Sequence, residues 1–257
     1  DVDSGLYGFR AHFVEPDSAG EHDGAPYDEA QHFATLTLRI PEDDASSADE
    51  SRIVITNPIA SFGAATNDGY LYVYGGHTGR AHSHSRQNLS PHFIRIPLKG
   101  EADWENLPMQ MPLQGLSLVA HGKHLYRVGG LNARNDINDE ADLHSVKDFA
   151  RYDPAKGTWE ALPDMPMPRS SHDTVVVGDK LFVMGGWWLE GDSSDDNWHD
   201  TALEIDLAAE QPKWKVIENV PFERRALAAA TLNGKVYVLC GLTSLAEVSQ
   251  EVNIYDP

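Results

Sequence analysis

The chain has 257 residues, of which 41% are hydrophobic, so a packed core is within reach and wholesale disorder is excluded. There are 40 acidic residues against 20 basic ones, a formal charge of -20, which argues against a binder of nucleic-acid phosphates or anionic lipid built on Lys/Arg clusters. No apolar run approaches the roughly 18 residues of a spanning helix. The single cysteine, Cys240, excludes internal disulfides and any Cys-rich zinc site.

Residues 1–50 hold 13 acids and two bases, so they add little basic surface, and no repeat marker falls in them. Two stretches alternate apolar and polar residues, 7–14 and 32–40, and read as half-buried strands. They predict the end of a preceding sandwich-like β domain over 1–40. Segment 41–50, Pro-Glu-Asp-Asp-Ala-Ser-Ser-Ala-Asp-Glu, predicts a charged interdomain linker. With no initiator Met and no secretory leader, the chain reads as a processed or truncated piece of something longer.

From residue 51 onward the sequence repeats. An apolar run closes on Gly75-Gly76, Gly129-Gly130 and Gly185-Gly186, and a fourth run closes on Cys240-Gly241, in steps of 54, 56 and 55. Trp104, Trp159 and Trp214 recur with steps of 55 and 55. A Gly-bearing turn precedes each apolar run, at Asp68-Gly69, Gly122, Gly178 and Asn233-Gly234. Each unit therefore predicts four short strands, a to d, with a tight a–b hairpin and the Trp on strand d. The expected units are roughly 58–112, 113–168, 169–223 and 224–257, the last without strand d. The run 51–56 predicts a strand that completes and latches the final blade.

Gly-Gly after an apolar strand, Tyr152-Asp153-Pro154, Thr158-Trp159 and Leu162-Pro163-Asp164-Met165-Pro166, at this period, resemble kelch repeats. The grouping of His77, Gln114, Arg169, His172 and Arg224-Arg225 is similar to bacterial secreted kelch proteins of unassigned function. The resemblance, which covers about residues 58–257, implies an all-β fold, a kelch-type β-propeller of four-stranded antiparallel blades with four units present and the last incomplete; the alternating stretches of 1–40 add a β segment of another domain before it. It also implies more units beyond Pro257, and an extracytoplasmic location.

Alternating strands put the b–c and d–a loops on one face. The b–c loops are long, roughly 77–91, 131–147 and 187–201 with a shorter 242–251, and long loops on a rigid scaffold concentrate binding residues. Arg169, Arg224 and Arg225 open strand a near the channel mouth, where they suit a carboxylate partner or neighbouring loop acids equally well. Trp187, Trp188 and Trp198 lie outside the repeat phase; they suit a sugar face or a protein partner, or a loop folded on itself. His77, Arg80, Gln114, Asn132 and Arg134 complete the candidate ligand set. His82 and His84 form a His-x-His seed for a metal, but no third ligand follows from spacing. The loop acids Asp136, Asp139, Glu140, Asp142, Glu190, Asp192, Asp195 and Asp196 could hold Ca²⁺, but they lack EF-hand spacing and read more simply as solvating loop residues. Phase aligns His172 with Phe62, Leu116 and Leu227, which predicts a buried, hydrogen-bonded core histidine. Cys240 stands at a Gly position and predicts a small buried hydrophobe.

No catalytic motif and no cofactor signature emerge. The leading expectation is a non-catalytic binding module for a protein segment or glycan, anionic by its rim arginines, with no nucleic acid and no membrane insertion. The alternative is a carbohydrate enzyme by resemblance to kelch groups, either a sialic-acid mutarotase or, less well supported, a copper oxidase like galactose oxidase. The oxidase needs a Tyr–Cys cross-link, and the only cysteine sits in a packing position.

Overall fold

The computed structural model describes residues 55, 58–80, 82–99, 102–191 and 197–257. The chain divides into two compact units, Asp1–Arg52 and Ile53–Pro257, and every described residue belongs to the second. The expected sandwich over 1–40 and the linker lie outside the described residues, as does the latching strand 51–56 apart from Ile55.

Each repeat folds as an antiparallel sheet. The first contains β1 (Gly63–Asn67), β2 (Tyr70–Tyr74), β3 (Phe93–Pro97) and β4 (Glu105–Leu107) in that order. The second contains β5 (Ser117–His121) and β6 (His124–Val128), then, after β7 (Leu131–Ala133) and β8 (Leu143–Ser145) in the connection, β9 (Phe149–Asp153) and β10 (Thr158–Ala161). The third is β11 (Asp173–Val177) and β12 (Lys180–Met184), then, past β13 (Trp187–Trp188), β14 (Glu190–Gly191) and β15 (Asn197–Trp198), β16 (Ala202–Asp206) and β17 (Lys215–Ile217). After β18 (Arg224–Arg225) the fourth sheet has three strands, β19 (Ala228–Leu232), β20 (Lys235–Leu239) and, beyond β21 (Leu242–Thr243), β22 (Val252–Tyr255).

Two-residue turns need positive φ, and Gly69, Gly122, Gly178 and Gly234 supply it at 75°, 58°, 59° and 76°. Alternation then gives each sheet two apolar faces, which pack sheet on sheet. Tyr72, Tyr74 and Phe93 of the first sheet meet Leu118, Leu125 and Tyr152 of the second. Tyr126, Val128 and Phe149 of the second meet Leu181, Val183, Leu203 and Ile205 of the third. Phe182, Met184 and Ala202 of the third meet Val236 and Val238 of the fourth. The in-phase tryptophans bolt neighbours together: Trp159 Nε1 donates to Pro108 O and Trp214 Nε1 to Pro163 O, both at 2.7 Å.

The innermost strands β1, β5, β11 and β19 stand side by side. Just before each lies one residue with left-handed φ: Ser61 (54°), Gly115 (57°), Ser171 (52°) and Ala226 (50°). This geometry turns each N–H onto the carbonyl of the preceding repeat. Gly115 N donates to Ser61 O at 2.7 Å, Ser171 N to Gly115 O at 2.8 Å, and Ala226 N to Ser171 O at 2.7 Å. A main-chain relay thus runs from sheet to sheet beside a central cavity of about 360 Å³. The repeating sheets form the propeller arrangement expected from the period.

Two packing expectations are corrected. Cys240 is exposed, not buried, and adopts φ 54° in place of the glycine at Gly75, Gly129 and Gly185. Those glycines are sealed by the following repeat, since a Cβ on Gly129 would lie 2.4 Å from Arg169 O and one on Gly185 would lie 2.5 Å from Arg224 O. No described sheet lies beyond the fourth to seal Cys240 in the same way. His172 is buried as expected, but among the described residues neither ring nitrogen has a partner in hydrogen-bond geometry.

Candidate ligand-binding face

The long b–c connections are built structure. Strand β7 pairs with β8 and β8 with β14, so the connection of the second sheet is knitted to that of the third. Beneath them Leu89, Leu131, Ala133, Leu143 and Leu189 form a separate apolar core, with Trp187 against it. The loop acids are partly used internally. Asp136 takes Arg86 at 2.5 Å and Gln87 at 2.7 Å, and Asp142 lies 2.6 Å from His144 Nε2. The Arg86 and Gln87 hydrogen bonds hold the Asp136 carboxyl below its ordinary range.

Residues just before each inner strand pair with the start of the b–c connection and line the mouth. The bridges are Ala60–His77, Gln114–Leu131 and Ser170–Trp187, with β18–β21 placing Arg225 against Leu242 as the fourth. This common register brings several expected site residues to one end of the ring.

Arg225, Trp187 and Trp198 come together. The Arg225 guanidinium lies 4.0 Å from the Trp187 ring centroid and 5.6 Å from that of Trp198. The two indoles are 5.6 Å apart, positioned because β13 pairs with β15 in the register Trp187–Trp198. Both indole N–H groups are shielded from water without an acceptor among the described residues. Trp188 stands beside them, paired with Asn197 and half-buried.

A second group lies at the first sheet. Gln114, buried, has its side-chain amide 3.0 Å from His84 Nδ1, and His77, also buried, has Nε2 3.1 Å from Ser83 O. The His77 and His84 rings are 5.0 Å apart, and those of His82 and His84 are 6.4 Å apart. Burial pushes the His84 imidazole below its ordinary pKa, helped by the neighbouring His77 and His82. Among the described residues no group of three His, Cys, Asp or Glu side chains is placed to hold a metal. Arg80 and Arg134 are exposed and Asn132 is half-buried.

Arg169 and Arg224 are corrected. Neither reaches the mouth, because both side chains turn into the protein and are 0% and 1% exposed. Arg169 Nη1 donates to Gly185 O at 2.7 Å and to Thr201 O at 2.8 Å, and Nη2 to Thr201 Oγ1 at 3.1 Å. Arg224 Nη1 donates to Cys240 O, Ser249 Oγ and Glu251 O, and Nη2 to Asn253 Oδ1. Each clamps both ends of a b–c connection, donating to carbonyls that the irregular backbone leaves unpaired. Burial pushes Arg169 down to about 9, with Asp200 opposing, so the cation persists at neutral pH. The same phase that aligns His172 with leucines also aligns Arg169 and Arg224 with Leu113, an interior position. That signal was present in the sequence.

A buried basic trio accompanies Arg169. Burial, then the Arg169 charge, pushes His172 down to about 3 and His199 down to about 4. His199 Nε2 lies 2.9 Å from Pro168 O, which opposes its shift; the backbone of Val128 near the His172 ring acts in the same sense without completing a hydrogen bond. Asp173, next in the chain, accepts from Thr174 N at 2.8 Å and from Ala229 N of the fourth sheet at 2.7 Å. Burial raises its pKa despite these bonds.

A family model described as the Kelch motif matches residues 112–166, the second repeat. Mouse Kelch-like protein 41 is 30% identical over 62% of this chain and 25% of its own length. Zebrafish Kelch-like protein 15 is 26% identical over 60% of the chain and 23% of its own length. Human Kelch repeat and BTB domain-containing protein 12 is 26% identical over 67% of the chain and 28% of its own length. The chain thus spans about a quarter of the curated relatives it matches. The solved structure titled "Structure of YjhT" superposes with a TM-score of 0.57 at 17% identity, covering 79% of this chain and 66% of that one. That likeness concerns the fold. Among the described residues no helix is long and apolar enough to cross a membrane.

Proposed function

The chain belongs to the kelch-repeat family, and on that premise we propose that it is a non-catalytic interaction module whose b–c/d–a face grips a protein segment through an acidic side chain. The observation that carries this reading is the stack of Arg225 on Trp187 and Trp198 at the mouth of the ring. Stacking occupies the face of a guanidinium, whereas a carboxylate is recognised at its edge. Arg225 stacks on these two rings at the mouth, whereas the Arg169 and Arg224 side chains turn into the protein. In a chain of net charge -20 a cation fixed by two aromatic rings gives an acidic segment a defined place to bind.

The test is a peptide array of acidic sequences and their amide counterparts, run beside a glycan array. The wild-type chain is expected to retain acidic peptides and lose them on amide replacement. Arg225→Ala and Trp187→Ala are each expected to weaken retention by tenfold or more, the scale of an interface anchor. Retention of glycans alone, or of peptides unchanged by Arg225→Ala, would overturn the reading.

A further inference from the structure

The second sheet meets the third as the first meets the second, around one set of side chains that the repeat carries twice. In the first sheet the set is Tyr72, Phe93, Arg95 and Glu105, with Tyr72 paired to Arg95 and Arg95 to Glu105. In the second sheet it is Tyr126, Phe149, Arg151 and Glu160, in the same register. The ion pairs match, Arg95 to Glu105 at 2.7 Å and Arg151 to Glu160 at 2.6 Å. The tryptophan of the following repeat packs on the phenylalanine in both seams. Trp159 and Phe93 have ring centroids 5.4 Å apart, and Trp214 and Phe149 are at 5.0 Å.

What covers the set differs between the two seams. Over the first lies the buried ring of Tyr152, from the second sheet, edge-on to Phe93 with centroids 4.9 Å apart. Burial raises the pKa of its hydroxyl and the Arg95 charge opposes that shift, so the phenol sits within the field of the guanidinium. Strand pairing puts Ile205 at the same place in the third sheet, since Leu125 faces Tyr152 and Leu181 faces Ile205. Isoleucine brings neither ring nor hydroxyl. Between Tyr126, Phe149, Arg151 and Glu160 on one side and the connection 207–214 on the other, a cavity of about 150 Å³ is left, closed by Leu207, Ala209 and Pro212. A cavity of roughly 150 Å³ with apolar walls takes a benzene ring. This one has aromatic and aliphatic walls and an arginine–carboxylate pair at its edge, the surroundings that Tyr152 meets in the sister seam.

We propose that this cavity is a binding site for a small monocyclic phenol. Its ring takes the place over Phe149 that Tyr152 takes over Phe93, and its hydroxyl meets the Arg151–Glu160 pair. A phenol both donates and accepts, so it accepts from the guanidinium and donates to the carboxylate. The site lies at the c–d end of the second and third sheets, away from the b–c connections, and is independent of the acidic-ligand reading.

The test is titration of the 257-residue chain with 4-methylphenol, followed through the methyl NMR signals of Leu162 and Leu207, which line the cavity. Saturable shifts of these methyls are expected. Toluene, without the hydroxyl, is expected to bind about tenfold more weakly, the scale of a hydrogen bond to a charged group. Ile205→Tyr fills the space with the residue the sister seam already accommodates and is expected to abolish the shifts. Circular dichroism confirms folding; if Ile205→Tyr misfolds, Ala209→Met fills the same cavity from the connection and carries the same expectation. Absence of saturable shifts at millimolar 4-methylphenol, toluene binding as tightly as 4-methylphenol, or unchanged binding in a folded cavity-filled variant would overturn the proposal.

Discussion

Replacing His172 by Leu should stabilise this protein. The ring is 6% exposed and packs into the seam between the second and third sheets, where its Cε1 would lie 2.9 Å from a Cβ on Gly129. Its two nitrogens are stripped of water and find no partner in hydrogen-bond geometry among the described residues, a cost of about 1–3 kcal/mol per buried unsatisfied group. Sister repeats hold Leu116 and Leu227 at 5% and 8% exposure, so a leucine fits this place. We expect a net gain of about 2 kcal/mol at pH 7–8, or roughly 4–8 °C in Tm for a unit of this size.

The pH profile supplies the sharper test. The folded pKa of His172 is pushed to about 3 from 6.5. The unfolded chain therefore takes up the proton first, and the stabilisation from keeping the ring neutral is whole above pH 6.5 and drains as pH falls toward 3. A shift of that size sets a ceiling of roughly 5 kcal/mol on the loss. His172→Leu should flatten this acid limb, leaving the part owed to His199, which drains between pH 6.5 and about 4. Thermal unfolding followed by near-ultraviolet circular dichroism from pH 8 to pH 4.5 measures both effects. A variant less stable than wild type at neutral pH, or one with the same acid limb, would refute the reasoning and mean that the ring nitrogens are satisfied in solution.

Other outcomes follow from the same contacts. Arg169→Ala orphans the Gly185 and Thr201 carbonyls and should cost about 3 kcal/mol or more in chemical unfolding; in the folded fraction the His199 resonance should titrate at higher pH, because the Arg169 charge is among the causes holding it down. Gly129→Ala combines a φ of 53° with a Cβ 2.4 Å from Arg169 O, whereas Gly122→Ala combines a φ of 58° with open space. The former should lose well over 2 kcal/mol and the latter about 1 kcal/mol, compared as Tm shifts. Asp173→Asn replaces one of two accepting oxygens and should cost about 1–2 kcal/mol, from one orphaned N–H at the seam of the third and fourth sheets. Because burial raises the Asp173 pKa, that group's own contribution is whole at low pH and shrinks as pH rises through the folded value, so the deficit of Asp173→Asn should not deepen between pH 6 and 8.

The sequence alone determined the repeat, and through it the architecture. Glycines at turn positions, alternating apolar strands and tryptophans every 55 residues are local requirements, so they stand in the chain for anyone to count. Phase also identified His172 as interior and, applied to Arg169 and Arg224, would have placed them beside Leu113 instead of at the rim. What only the tertiary structure decided is where non-repeating residues meet. Trp187 and Trp198 are eleven positions apart and join because β13 and β15 pair across a connection. Arg225 reaches them from the next repeat, through a sheet-to-sheet seam that no spacing within one repeat encodes. Cys240 differs from its glycine equivalents for the same reason, since its exposure depends on what packs against the fourth sheet and not on the strand that carries it. Periodicity is a property of backbone and core, which obey one set of sterics in every repeat, whereas a binding face is made of departures from that period.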